Sequence, residues 1–142
     1  MPIMCEIVSQ DRIVYQGEVD IVLIPGVEGE LGILPNHSPL LTIVNYGVIA
    51  TRKGKEEEYF TVAGGIAEVQ PNKVTILADA AENVAEIDIS RAEEARKRAE
   101  HLLTEDIESI GDDYLKFQSM LRRSMLRINA VKRYRSRLKL HS

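Results

Sequence analysis

Val84-Ala85-Glu86-Ile87-Asp88-Ile89-Ser90-Arg91-Ala92-Glu93-Glu94-Ala95-Arg96-Lys97-Arg98-Ala99 is the stretch in which the chain changes its period. Beyond it there is no proline, and Gly111 is the only glycine. Asp88 or Ser90 is placed to cap a helix, with Glu93 and Glu94 in its first turn, where carboxylates complement the helix dipole. Ala92, Ala95, Ala99 and Leu102 then recur at spacings of three and four, a narrow stripe of mostly small residues. Gly111, Asp112 and Asp113 mark a break and a second start. Tyr114, Phe117, Leu121, Met125, Ile128 and Val131 continue the same spacing. Two helices joined by a short loop pack antiparallel as a hairpin. The thin apolar stripe predicts marginal docking and a capacity to rearrange.

Upstream of the switch the pattern is that of strands. Ile13-Val14-Tyr15, Val48-Ile49 and residues 19–24, 40–44, 59–63 and 74–77 are short and rich in β-branched or aromatic residues. Turn residues separate them at Gln10-Asp11, Pro25-Gly26, Gly29, Pro35-Asn36, Lys53-Gly54, Gly64-Gly65 and Pro71-Asn72. Val19, Ile21 and Leu23 alternate with Glu18, Asp20 and Val22, close to period two, which predicts one wet face. Eight of the nine glycines and all five prolines precede residue 72. The fold class is therefore α+β in two parts. Residues 1–87 form an antiparallel β-sandwich, with a barrel as the alternative, and residues 88–142 an antiparallel α-helical hairpin.

The chain has 142 residues, 44% apolar and 28% charged, ordinary for one globular domain or two small ones. No apolar run reaches membrane-span length, and residues 1–10 lack the basic start and apolar stretch of a signal peptide. One cysteine, Cys5, excludes an internal disulfide framework or a multi-cysteine metal site and is compatible with a reducing compartment. The net charge of −4 is unevenly divided: residues 1–87 carry 5 Lys+Arg against 13 Asp+Glu, and residues 88–142 carry 13 against 9. Residues 114–142 hold nine basic residues and no acidic one, which suggests an electrostatic partner for that segment.

No phosphate loop occurs, and Gly26, Gly29 and Gly32 read as structural turns rather than a dinucleotide fingerprint, since no helix follows them. His37 lies in Leu34-Pro35-Asn36-His37-Ser38-Pro39 and reads as a turn residue bonded to the backbone. His101 and His141 read as solvated. Three scattered histidines do not make a metal site, and no nucleophile–base pair can be assembled, so an enzyme in its own right is not expected. Two constellations remain. Arg91 and Arg98 share one helix face, Arg123 and Arg127 another. If the hairpin closes, these guanidiniums converge near Asp88 as a phosphate site with a carboxylate for an adenine amino group, or they are exposed charges paired with Glu94, Glu100 and other neighbours. The basic run Lys116, Arg122, Arg123, Arg127, Lys132, Arg133, Arg135, Arg137, Lys139 suits nucleic acid, an anionic membrane surface or an acidic protein. Too few aromatics for base stacking and an acidic neighbouring domain favour the protein.

Gly29-Glu30-Leu31-Gly32-Ile33-Leu34-Pro35-Asn36-His37-Ser38-Pro39-Leu40 closely resembles the G-E-L-G-I-L-P-x-H-x-P-L segment of the epsilon subunit family of F-type ATP synthase. Ala63-Gly64-Gly65-Ile66-Ala67-Glu68-Val69, Val74-Thr75-Ile76-Leu77-Ala78 before Ala80-Ala81-Glu82, and the I-D-x-x-R-A pattern at Ile87, Asp88, Arg91 and Ala92 follow in the family's order. The resemblance spans residues 5 to 131.

It implies a sandwich that docks on the gamma stalk and the membrane rotor ring of c subunits, with Glu30, Leu31, Leu34, Pro35 and His37 at the docking surface. It also implies a non-catalytic subunit that helps couple proton-driven rotation to ATP synthesis. The hairpin of such a subunit folds onto the sandwich or extends along gamma. Extended, Arg122, Arg123, Arg127, Lys132, Arg133 and Arg135 would meet acidic segments of the alpha and beta catalytic subunits and block ATP hydrolysis. No cofactor is required, but in some bacterial members ATP holds the folded hairpin. Glu82, Asp88, Arg91, Arg98, Arg123 and Arg127 occupy those positions here. The implied location is peripheral, on the cytoplasmic face of a bacterial membrane or on a plastid thylakoid, without membrane insertion or nucleic-acid binding. The alternative reading is a free-standing nucleotide sensor or basic-helix binding module. Two departures stand out. The chain continues past Val131 for eleven residues with five Lys/Arg, either inhibitory charge or a solubilising end, and the inter-helix stretch 104–113 is one residue longer.

Overall fold

A computed structural model describes residues 2–104 and 111–140. Strands β1 (Ile3–Val8), β2 (Ile13–Val19), β3 (Ile21–Gly26), β4 (Gly29–Ile33), β5 (Leu40–Lys53), β6 (Glu56–Val69), β7 (Lys73–Ala78) and β8 (Ala81–Asn83) come first. A 3-10 turn over Val84–Glu86 leads into α1 (Ile89–Leu103), and a second over Gly111–Asp113 into α2 (Tyr114–Leu140). The strands hydrogen-bond in the order β2-β1-β7-β6-β5-β3-β4, with β8 on β6. All pairs are antiparallel except β1 with β7, which is parallel.

The two 14-residue strands β5 and β6 make a sandwich out of this one sheet. The first half of β6 pairs with β8 and its second half with β7. It passes from one layer to the other at Gly64 and Gly65, with φ of 89° and 154°. A Cβ at Gly65 would lie 2.2 Å from the Leu77 carbonyl oxygen, so no side chain fits there. Gly64-Gly65, expected as a turn, is instead the bend inside a continuous strand, and residues 40–44 and 48–49 belong to one strand.

Three other elements differ from the sequence expectation. β1 has Ile3, Cys5 and Ile7 fully buried, yet it lies at the chain start without a turn signal before it. Gly26 and Gly29 flank the expected turn at Val27-Glu28, with Gly29 at φ 129°, whereas Gly32 lies inside strand β4, opposite Leu23 of β3. Residues 19–24 are two strands. Asp20 makes the corner, its NH donating to the Arg52 carbonyl at 2.7 Å and its carboxylate accepting from the Gly54 NH at 2.7 Å. The corner reverses the phase, so Val22 and Ile24 enter the core while Ile21 and Leu23 are only half-buried.

The core between the layers gathers Ile3, Ile7, Val22, Ile24, Phe60 and Ile76, with Tyr15 tilted on Phe60 at 5.1 Å between ring centroids. Burial pushes the Cys5 thiol up to about 12, which makes it a packing group rather than a nucleophile. In β6 the alternation of buried and exposed residues is lost. Tyr59, Phe60, Thr61, Val62 and Ala63 are all buried, because the core covers one face and the hairpin the other.

Asp88 is the cap of α1, its Oδ1 accepting from the Arg91 NH at 3.2 Å. Ala92 and Ala99 are fully buried and let α2 approach closely. Among the described side chains of α2 the buried positions are Ser124, Ile128, Ala130 and Val131, while Met125, expected in the stripe, is 46% exposed. The shift arises because α2 faces α1 on one side and the sandwich on the other, so its buried surface is wider than one stripe and turned away from Met125. The Ser124 hydroxyl is satisfied within the helix by the Met120 carbonyl at 2.8 Å. The greater part of the inter-helix stretch 104–113, expected to be one residue longer, lies outside the described residues.

Replacing Gly65 with Ala should lower stability by about 3 kcal/mol or more, because both the left-handed φ and the contact with Leu77 oppose a side chain. Urea unfolding followed by circular dichroism measures it, and a change below about 1 kcal/mol would show that β6 can bend without glycine.

Candidate functional site

Two surfaces carry the functional chemistry, and the long strands position both. The first is the junction between the sandwich and α2. Glu82 sits on β8, opposite Thr61 of β6, and the Arg127 guanidinium forks onto it. Nε lies 2.5 Å from Oε1, and Nη2 donates to Oε2 at 3.2 Å. Arg123, one turn earlier on α2, is exposed at the mouth of the same groove, whose floor is Ala80 and Ala81 and whose wall includes Met120 and Ser124. This groove brings Glu82, Arg123 and Arg127 together. Asp88 is engaged in capping α1, and Arg91 and Arg98 are exposed on α1 and do not line the groove. On α1 it is Arg96 that pairs with acidic neighbours, with Glu93 at 2.9 Å and Glu100 at 3.6 Å.

The basic residues of α2 are not simply solvated. Arg122 lies over the Tyr46 ring of β5, 3.6 Å from its centroid, a favourable cation–π distance. Arg133 and Arg137 lie 5.2 and 5.5 Å from the centroid of Tyr134. Arg135 is half-buried, and its Nη2 donates to the carbonyls of Val84 and Ile87. Lys132 is exposed. Tyr134 stacks on Tyr59 with centroids 4.5 Å apart and the rings 25° from parallel. Burial, then the hydrogen bond to Glu57, pushes Tyr59 above the ordinary tyrosine range, so its hydroxyl stays protonated and donates to Glu57. Within the segment past Val131, Tyr134 and Arg135 are thus packed parts of the helix, while residues 141–142 lie outside the described residues. The signal for this in the sequence was Tyr134, an apolar-bodied residue three positions beyond Val131 in the same stripe.

The second surface is the uncovered outer face of the other layer. Register places Ile43 opposite Ile66, Ile66 opposite Leu77, Leu77 opposite Val8 and Val8 opposite Ile13. This apolar row crosses β5, β6, β7, β1 and β2. Ile43 is 61% exposed, Ile66 47%, Leu77 54% and Ile13 56%, with Leu41 at 71% beside them. An uncovered row of large apolar side chains is unusual on a monomer and marks a contact surface. Sequence reading passed over it because Ile43, Ile66 and Leu77 sit inside strands whose other residues are core. Only the strand phase and the pairing separate the two sets.

Of the residues tied by resemblance to rotor docking, Glu30 and Leu34 are exposed, Pro35 and His37 are half-buried, and Leu31 packs against the core. The loop is shaped by Asn36 at φ 65° and tied to the turn after β6 by its NH donating to the Pro71 carbonyl at 2.7 Å. His37 Nδ1 is 2.7 Å from the Ser38 carbonyl oxygen, the backbone-bonded turn role expected of it. Among the described residues, no helix is long and apolar enough to cross a membrane.

A β-sandwich with a helical hairpin laid on one outer face, and an apolar row left open on the other, defines a small docking subunit of a larger assembly. The chain belongs to the delta/epsilon chain family of ATP synthase. Residues 2–84 match the family's beta-sandwich domain and residues 85–132 its long alpha-helix domain. It is 42% identical over 136 residues to the ATP synthase epsilon chain of Dehalococcoides mccartyi, covering 92% of each chain. To the epsilon chain of Herpetosiphon aurantiacus it is 44% identical over 137 residues, covering 96% of this chain and 99% of that one. A chain of the Euglena gracilis mitochondrial ATP synthase shares the fold with a TM-score of 0.66 at 20% identity, covering 96% of this chain and 81% of that one.

Proposed function

We propose that this epsilon-type chain serves in the central stalk of an F-type ATP synthase as a non-catalytic coupling and regulatory subunit. The observation that carries the reading is the apolar row Ile43, Ile66, Leu77, Val8 and Ile13. Covering it would remove several large side chains from water at about 25 cal/mol per Å², which suits a lasting contact with the gamma stalk. The loop of Glu30, Leu34, Pro35 and His37 supplies the face toward the membrane rotor ring. In this reading the subunit is peripheral, on the cytoplasmic face of a bacterial membrane. A plastid thylakoid is the alternative.

The hairpin supplies the regulation. Its acid-free second helix is complementary to acidic segments of the catalytic subunits, and in an extended position it obstructs ATP hydrolysis. The groove of Glu82, Arg123 and Arg127 supports a regulatory ATP site on the folded hairpin, with Asp88, Arg91 and Arg98 reached by a shift of α1. Arg127 is already forked on Glu82, so a triphosphate must share or displace that carboxylate. ATP bound only to the folded form would oppose inhibition, since a ligand favours a state by its differential affinity for it.

Ile66→Asp should weaken binding to isolated gamma on the order of a hundredfold, reading about 3 kcal/mol of lost apolar contact and a buried charge, with the unfolding midpoint of the free chain little changed. Full retention of binding would move the docking surface elsewhere. Deletion of residues 114–142 should raise ATP hydrolysis by the reassembled complex, and unchanged hydrolysis with normal assembly would remove the basic helix from inhibition. Calorimetric titration of the isolated chain with ATP should show heat that Arg127→Ala abolishes. No heat above buffer at millimolar ATP would sink the nucleotide site.

A further inference from the structure

The end of α2 grips the one chain segment about which the hairpin would have to turn. Arg135 Nη2 donates to the Val84 carbonyl at 2.8 Å and to the Ile87 carbonyl at 2.5 Å. These two carbonyls flank the turn joining β8 to α1. A hinge works by changing φ and ψ at a few such residues, and a change there moves the two acceptors apart. One donor can serve both only while the connection keeps its bent form. The guanidinium is half-buried, and its Nε has no partner among the described residues, so losing the carbonyls in the docked position would strand a partly desolvated charge. Arg135 therefore favours either the fully docked hairpin or full departure. One residue earlier, Tyr134 stacks on Tyr59, whose hydroxyl is fixed on Glu57, itself paired with Arg52 at 3.1 Å. The clamp thus has one jaw on the connection and one on β6. Both residues lie past residue 132, where the match to the family's helical domain stops.

We propose that Tyr134 and Arg135 form a latch that sets how often the hairpin leaves the sandwich. The proposal rests on the reading that the hairpin has a second, extended position. Release of the latch uncovers the apolar cluster of Tyr59, Val84, Ile87, Ala130 and Val131, so the freed form needs another surface to cover it. Release also frees Arg122 from Tyr46, Arg127 from Glu82, and Arg135 from the Val84 and Ile87 carbonyls. The docked form therefore withholds three of the six side chains assigned to inhibition, and the latch controls whether they are available.

Amide hydrogen exchange on the isolated full-length chain tests the latch without any partner. Arg135→Ala should speed exchange in α1, in α2 and at residues 84–87 on the order of tenfold or more, the loss of two hydrogen bonds from a charged donor. Amides of β1 and β7 should keep their rates, which shows that the sandwich stays folded. Arg135→Lys, which keeps the charge but loses the planar fork, should move the same amides in the same direction. Tyr59→Leu changes only the sandwich side and leaves every basic residue of α2 in place, and in the reassembled complex it should lower ATP hydrolysis. Faster exchange with unchanged hydrolysis supports the latch and counts against the inhibitory reading alone. If Arg135→Ala and Tyr59→Leu both leave hairpin exchange within about twofold of the parent while β1 and β7 are protected, the latch is wrong, whatever hydrolysis does.

Discussion

A missing side chain at Gly65 allows one strand to serve two layers. With the Leu77 carbonyl 2.2 Å from where a Cβ would stand, β6 can bend only as glycine, and the bend assigns its halves to different surroundings. Just before the bend, from Tyr59 to Ala63, β6 runs under the hairpin and is buried on both faces. After it, β6 carries Ile66 on an open face between Ile43 and Leu77. The covered and uncovered sides of the molecule are therefore set by one steric limit in the middle of one strand.

The two outer faces divide the work. One is closed by α2 through an apolar cluster and a set of arginine contacts, each modest in energy. Arg122 on Tyr46 and Arg127 on Glu82 are partly exposed pairs of the kind worth about 1 kcal/mol or less. Such contacts orient the helix without locking it. The other face has no cover among the described residues, which leaves its apolar row open. On the proposed reading, the open face holds the subunit in the assembly while the hairpin side rearranges.

Much of the architecture was legible beforehand. The period switch at residues 84–99, the cap at Asp88 and the concentration of glycine and proline before residue 72 identify a strand-rich part and a helical hairpin. Strand phase was less legible. The corner at Asp20 reverses which of Val19, Ile21, Val22 and Leu23 face the core, and no local pattern announces a reversal that depends on bonds to Arg52 and Gly54, more than thirty residues away. The candidate groove was legible only in part. Glu82, Arg123 and Arg127 meet, whereas Asp88 is occupied in capping and Arg91 and Arg98 stay on the exposed face of α1, because helix spacing fixes which residues share a face but not how one helix is rotated against another.

By itself the sequence determined composition, period, caps and family motifs, since these depend on neighbours a few residues apart. It also determined the charge division, with acidic residues concentrated in 1–87 and none after Asp113. Only the tertiary structure decided what those charges do. Arg135 reaches back to Val84 and Ile87, and Tyr134 to Tyr59, across separations of some fifty residues or more that no periodicity encodes. The same holds for the row from Ile43 to Ile13, whose members are scattered through five strands. They become one surface only when strand register, set by every backbone hydrogen bond in the sheet, brings them side by side.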